Sequence, residues 1–212
     1  MDRLHALDIP ETLAEVCDPR RTALIVYDMQ AGILRQLADA DRLLAAVLEV
    51  LDAARAAGVR TVFTRHVSMP TELAGIFQLR QAKVWERKDR AADTHPLFPR
   101  DAPQTQLAPE LAPRDSEGVV DKITMSAFEG TFLDIVLRDC GVVSVILVGV
   151  AIEVGIEPTA RHAADLGYIP VIVKDALGWG DEAAAKRSLE ALEWAGDSVI
   201  ADVAGVRAAL GA

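Results

Sequence analysis

The chain has 212 residues, with 22 Lys or Arg against 32 Asp or Glu and a formal net charge of -10. That length suffices for one large domain with a well-formed core, so residues 1–212 are read as a single domain. The acidic balance argues against non-specific nucleic-acid binding, and no apolar run approaches the roughly 20 residues that span a bilayer.

The N-terminal stretch MDRLHALDIPETLAEV has scattered charges and no continuous apolar run, so no signal peptide is expected. Cys17 and Cys140 lie far apart and fit no disulfide or metal spacing, which points to a reducing, cytoplasmic setting. TALIVYD (22–28) reads as a buried strand. The segment 41–58 places Leu44, Val47, Leu48, Leu51 and Ala54 on one helical face, and Gly58 supplies a stop. VRTVFT (59–64) is a second strand. Residues 65–117 are less regular, with a helical stretch near 72–83 and then a loop rich in Pro and charge. Loops this long are often lids or subunit contacts.

GVVDK (118–122) is a short third strand, and Phe132, Ile135 and Val136 mark a helix ending near Gly141. VSVILVG (143–149) is the fourth and most apolar strand. EPTARHAADLG (157–167) is a helix with Pro158 in its first turn, where a missing N–H costs least. YIPVIVKDA (168–176) is a fifth strand, 181–196 a helix, and DSVIADV (197–203) a short last strand. Apolar strands separated by amphipathic helices imply a mainly parallel sheet covered on both faces. The fold class is therefore α/β, a three-layer α/β/α doubly wound domain.

Ligands in such sheets bind beyond the carboxyl ends of the strands. That rule nominates Asp28, Thr64, Arg65, His66, Lys122, Glu153, Gly155 and Asp175. Asp28 directly follows ALIVY and reads either as a helix cap or salt-bridge partner or as a working carboxylate. Lys122 follows GVVD and reads either as a solvated edge charge or as the partner of Asp28. His66 ends the second strand, where a lone His is more often structural than functional. His162 lies within a helix, and neither His5 nor His95 has a partner at metal-ligand spacing, so no metal site is expected. Neither GxGxxG nor GxxxxGK[ST] occurs, and no cofactor is expected.

Three separated stretches in this order carry a resemblance: TALIVYDMQ, VVDKITMSAFEGTFLD and VGVAIEVGIEPTARHAADLGYIPVIVKDA. Together they resemble the isochorismatase-like hydrolase superfamily, over nearly the whole chain. The resemblance implies a hydrolase of a small polar metabolite and a homo-oligomer. Exposed apolar candidates Ile76, Phe77 and Trp85 fit subunit contacts or closure of the pocket. In the family's amidases the first motif supplies an Asp, here Asp28, and the second a Lys, here Lys122. The third supplies a Cys nucleophile at the position occupied here by Gly155, with a Thr where this chain has Ile152. The resemblance also places His66, Ala151, Gly155 and Phe128 around the substrate.

Isochorismatases proper resemble this chain in carrying Gly at position 155, and hydrolyse a vinyl ether without an acyl-enzyme. They carry a Tyr at the place of Ala151 and a Gln at the place of His66. The resemblance thus favours vinyl-ether hydrolysis without a cysteine, with water-mediated amide or ester hydrolysis, or ligand binding without catalysis, as alternatives. It further implies a cis peptide bond at Val150–Ala151, with the N–H groups of Ala151 and Gly155 as candidate oxyanion donors. Glu153 falls outside the family pattern. It reads either as a second carboxylate opposite Asp28, activating water, or as a partner of Arg161 or cap of the helix near Glu157.

Overall fold

Six strands build the central sheet, and the two at its middle, 22–27 and 144–150, are buried along their whole length on both faces. The computed structural model describes residues 2–212. It begins with an exposed antiparallel hairpin, β1 (Asp2–Leu4) and β2 (Leu7–Ile9), and a short helix α1 (Leu13–Val16). Then follow β3 (Thr22–Tyr27), α2 (Ala31–Leu34), α3 (Ala40–Ala57), β4 (Arg60–His66), α4 (Ile76–Trp85) and β5 (Gly118–Lys122). The second half supplies α5 (Leu133–Asp139), β6 (Ser144–Val150), α6 (Glu157–Asp165), β7 (Ile169–Gly178), α7 (Glu182–Ala195), β8 (Val199–Ala201) and α8 (Val203–Ala209).

The sheet order is β5-β4-β3-β6-β7-β8, and every pairing in it is parallel. The chain winds outward through β4 and β5 from β3, and outward through β7 and β8 from β6. The crevice between β3 and β6 is thus the topological switch point, where open α/β sheets bind ligands. Successive side chains of β3 alternate between two cores. Leu24 and Val26 join α3 and α8, whereas Ala23, Ile25 and Tyr27 join α5, α6 and α7.

The expected helix over 41–58 runs over Ala40–Ala57, ended by Gly58 in a left-handed conformation at φ 73°. Its buried stripe is Leu43, Val47, Val50, Leu51 and Ala54, while Leu44 and Leu48 lie at the margin of the core. The helix expected near 72–83 is α4, a few residues later, and its Ile76, Phe77 and Val84 are exposed. The fifth strand extends to Gly178, with a register shift against β6 between Leu147 and Gly149. Of the last expected strand only Val199–Ala201 is extended, because Asp202 caps α8 by accepting from Gly205 N–H at 2.7 Å. Among the described residues, no helix is long and apolar enough to cross a membrane.

Candidate active site

The carboxyl ends of β3, β4 and β5 bring Asp28, Thr64 and Lys122 together. Asp28 and Lys122 are both buried, at 5% and 3% exposure. Lys122 Nζ donates to Asp28 Oδ2 at 2.7 Å and to the Thr124 carbonyl at 3.2 Å. Thr64 Oγ1 donates to Asp28 Oδ1 at 2.6 Å and accepts from Asp28 N–H at 3.1 Å. Asp28 sits at φ 47°, a left-handed conformation that Asp tolerates better than most residues. Each carboxylate oxygen therefore has a fixed donor. Burial pushes the Lys122 ammonium below the usual lysine range, and the Asp28 charge opposes that fall.

The pair opens onto a cavity of ≈ 640 Å³ lined by residues from both halves of the sheet. Tyr27, Asp28, Lys122, Val150 and Ala151 form its inner end; Trp85, Arg87 and Phe98 come from the long 67–117 excursion. Arg35 and Arg87 also border it, and neither has an ion-pair partner among the described residues. A pocket of ≈ 50 Å³ lies on the far side of His66, Trp85 and Phe98, lined by neither Asp28 nor Lys122.

His66 borders the main cavity, with its ring edge-on to Trp85 at 6.0 Å and Phe98 at 5.9 Å. Desolvation, reinforced by Lys122 and opposed by Asp28, lowers its pKa to about 4, so the ring is neutral at pH 7. Its backbone is fixed by fully buried Gln30. His66 N–H donates to Gln30 Oε1 at 2.7 Å, and Gln30 Nε2 donates to the carbonyls of His66 at 3.0 Å and Thr105 at 2.8 Å. Beside it, Gln30 and Leu107 form an antiparallel bridge, and Ser68 bridges Pro99.

Ala151 borders the cavity, and the Val150–Ala151 peptide bond is cis. Its carbonyl accepts the N–H groups of Val154, Gly155 and Ile156 at 3.3, 3.0 and 3.1 Å, which winds 152–156 into a π-type turn. Gly155 does not line the cavity. Its N–H is taken up within that turn, so it differs from the oxyanion donor expected of it. A Cβ there would overlap the Tyr27 hydroxyl and lie 2.6 Å from Tyr27 Cε1. Tyr27 fills that space, donates its hydroxyl to the Met125 carbonyl, and lays its ring 4.3 Å from Lys122 Nζ.

Four other nominated residues lie elsewhere. Glu153 does not border the cavity: its Oε1 accepts the N–H groups of Gly180 at 2.7 Å and Asp181 at 2.9 Å. Its carboxylate thus anchors the turn into α7, while Arg161 pairs with Glu157 and Asp197. Phe128 is buried against Tyr168, stacked at 5.7 Å, because the turn after β5 points it into the core under α5 and α6. Arg65 alternates to the side opposite His66 and pairs with Asp121 at 2.7 Å. Asp175 accepts Val203 N–H at 2.8 Å and ties β7 to the start of α8.

Of the cysteines, Cys17 is buried with its thiol pKa pushed up to about 11 by desolvation. Cys140 is exposed at the end of α5, before β6, away from the carboxyl ends of the strands. No group of three His, Cys, Asp or Glu that could hold a metal ion occurs among the described residues. Sequence reasoning missed Tyr27, Gln30, Arg35 and Arg87. The signal available for Tyr27 was one aromatic closing an otherwise aliphatic strand.

A parallel sheet with a buried Asp–Lys pair joining the carboxyl ends of β3 and β5 at a cavity is the frame of an α/β ligand site. A family model described as Isochorismatase domain matches residues 22–203, so the chain belongs to that family and is an isochorismatase-like hydrolase. An uncharacterized isochorismatase family protein, YwoC, of Bacillus subtilis (strain 168) is 39% identical over 72 residues. That match covers 34% of this chain and only 38% of the relative. The ureidoacrylate amidohydrolase RutB of Serratia proteamaculans (strain 568) is 30% identical over 183 residues, 79% of this chain and 73% of that protein. The crystal structure of a cysteine hydrolase from Pseudomonas syringae pv. phaseolicola 1448A superposes with a TM-score of 0.78. It is 24% identical and covers 91% of this chain and 93% of its own, a likeness of fold.

Proposed function

We propose that this hydrolase acts on a small anionic metabolite through Asp28 and Lys122, without a thiol nucleophile, and that vinyl-ether hydrolysis is its chemistry. The observation that carries this reading is the buried Asp28–Lys122 pair at the inner end of a cavity that neither cysteine lines. Arg35 and Arg87 at the same cavity favour an anionic group on the substrate.

In the proposed reaction the Asp28 carboxyl, in its protonated form, donates its proton to the terminal carbon of the enol ether. The ether oxygen shares the positive charge that develops, water adds to the cationic carbon, and the proton that the water releases returns to the Asp28 carboxylate. The hemiketal then breaks to a carbonyl compound and an alcohol. Lys122 compensates the carboxylate left on Asp28, and the Thr64 hydroxyl keeps its orientation. Tyr27 and His66 wall the reacting centre, both neutral: burial and the Asp28 charge raise the phenol pKa well above its ordinary value. Glu153 acts indirectly, by fixing Gly180 at the cavity rim. Amide hydrolysis by activated water is the second reading, favoured by the name of the RutB relatives. A homo-oligomer belongs to the same proposal, supported by Ile76, Phe77 and Val84 exposed on α4, and equilibrium sedimentation checks it.

The test is a turnover screen over vinyl ethers, amides and esters bearing a carboxylate, with Asp28→Asn and iodoacetamide-treated protein as controls. Vinyl-ether turnover that survives alkylation and falls at least about 10²-fold in Asp28→Asn is expected. Turnover that alkylation abolishes in a protein that still melts normally would overturn the thiol-free mechanism.

A further inference from the structure

Among candidates outside the mechanism, Ser126 Oγ lies 2.9 Å from His162 Nδ1, but neither residue lines the main cavity, so that pair carries nothing further. The contact between Tyr27 and Gly155 goes further. The two residues lie on different elements, β3 and the turn after β6, yet one occupies the side-chain space of the other. The nearest atoms to a Cβ built at position 155 all belong to the Tyr27 phenol: Oη, Cζ and Cε1. The ring cannot withdraw freely. Its hydroxyl is bonded to the Met125 carbonyl, its face covers Lys122 Nζ, and it is 2% exposed.

We infer that Tyr27 is the specificity-determining residue of this site: its ring takes the place of any side chain at position 155 and closes the cavity's inner wall to a nucleophile from that turn. The inference rests on the thiol-free reading and gives it a structural cause in the neighbouring strand. Gly155 and Tyr27 then form one reciprocal unit. A nucleophile at 155 requires a small residue at 27, and the phenol at 27 requires Gly at 155. With the ring present, substrate meets its face together with Asp28, Lys122 and Ala151, all of which border the same cavity.

The test needs no substrate, so its failure is separable from failure of the hydrolytic mechanism. It uses a Cys140→Ser parent, which removes the exposed thiol and leaves only Cys17, buried with its pKa pushed up to about 11. Gly155→Cys alone is expected to lower the melting temperature by about 5 °C or more, through overpacking against the ring. Adding Tyr27→Val should recover stability relative to Gly155→Cys alone, and the new thiol should displace iodide from iodoacetamide at least about tenfold faster. Tyr27→Phe with Gly155→Cys should fall between the other two, because losing Oη removes the nearest contact while Cζ and Cε1 still crowd a Cβ at 155. Equal alkylation rates in all three variants, or strictly additive melting shifts, would overturn the inference. Where the cysteine variants do not fold, Gly155→Ala decides. A melting temperature equal to its parent's overturns the inference, and a drop relieved by Tyr27→Val supports it.

Discussion

Replacing His66 by Gln should make the protein more resistant to acid. His66 has a pKa of about 4 in the folded chain, lowered mainly by desolvation, against about 6.5 in an unfolded one. Between those values the unfolded chain binds a proton at this residue and the folded chain does not. Acidification therefore favours unfolding: the stability is complete above about pH 6.5 and is lost as pH falls towards about 4. The gap corresponds to about 3 kcal/mol, and solvent reaching the partly exposed ring trims this to about 2 kcal/mol. Guanidinium unfolding of parent and His66→Gln at pH 7.5 and 4.5 measures it. The two proteins share every other titrating group, so the parent should lose about 2 kcal/mol more than the variant across the interval. Equal losses would refute the argument that His66 is held neutral by its surroundings.

Lys122→Met leaves the Asp28 carboxylate buried without its ammonium and should cost about 3–5 kcal/mol in chemical denaturation. Glu153→Ala should cost about 1 kcal/mol by releasing the exposed Gly180 and Asp181 N–H groups to water, whereas Glu153→Gln, still an acceptor, should keep most of the stability and turnover. A large turnover loss in Glu153→Gln at full stability would restore Glu153 as a working carboxylate. Arg87→Ala should raise KM for an anionic substrate about tenfold with kcat little changed, in steady-state kinetics on whichever substrate the screen identifies. Arg55→Ala, which breaks a bidentate pair with half-buried Glu117, should lower the unfolding free energy by about 1–2 kcal/mol in denaturant titrations.

The central sheet was legible because β3, β6 and the first part of β7 are continuous apolar runs, a signal that survives without tertiary information. The hairpin of residues 2–9 and the short α1 were not legible, being brief and largely exposed, with little periodicity to read. The expected stripe of α3 was rotated because Leu44 and Leu48 look as apolar as Leu43 and Val50; only the direction of the sheet decides which are buried. Asp28 and Lys122 stood out as charges directly after apolar strands. Glu153 could not be placed in the same way. Its partners, Gly180 and Asp181, arrive from the next connection, and no spacing within the sequence encodes that meeting. Phe128 shared a motif with Lys122, but motif membership carries no information about which way a side chain faces.

The Gln30 amide has a consequence for how the molecule tolerates change. The excursion from 67 to 117 is pinned partway, by Gln30 Nε2 on Thr105, by the Gln30–Leu107 bridge and by Ser68 beside Pro99. In polymer terms it is no longer one long closure but an outer loop, roughly 69–97, and a short inner one. Closure entropy grows only logarithmically, so even doubling the outer loop would cost about 0.6 kcal/mol. Trp85 and Arg87 belong to that outer loop, while Asp28, Thr64 and Lys122 belong to the sheet. Insertions and deletions there can exchange what the cavity recognises without loosening the pair that carries the chemistry.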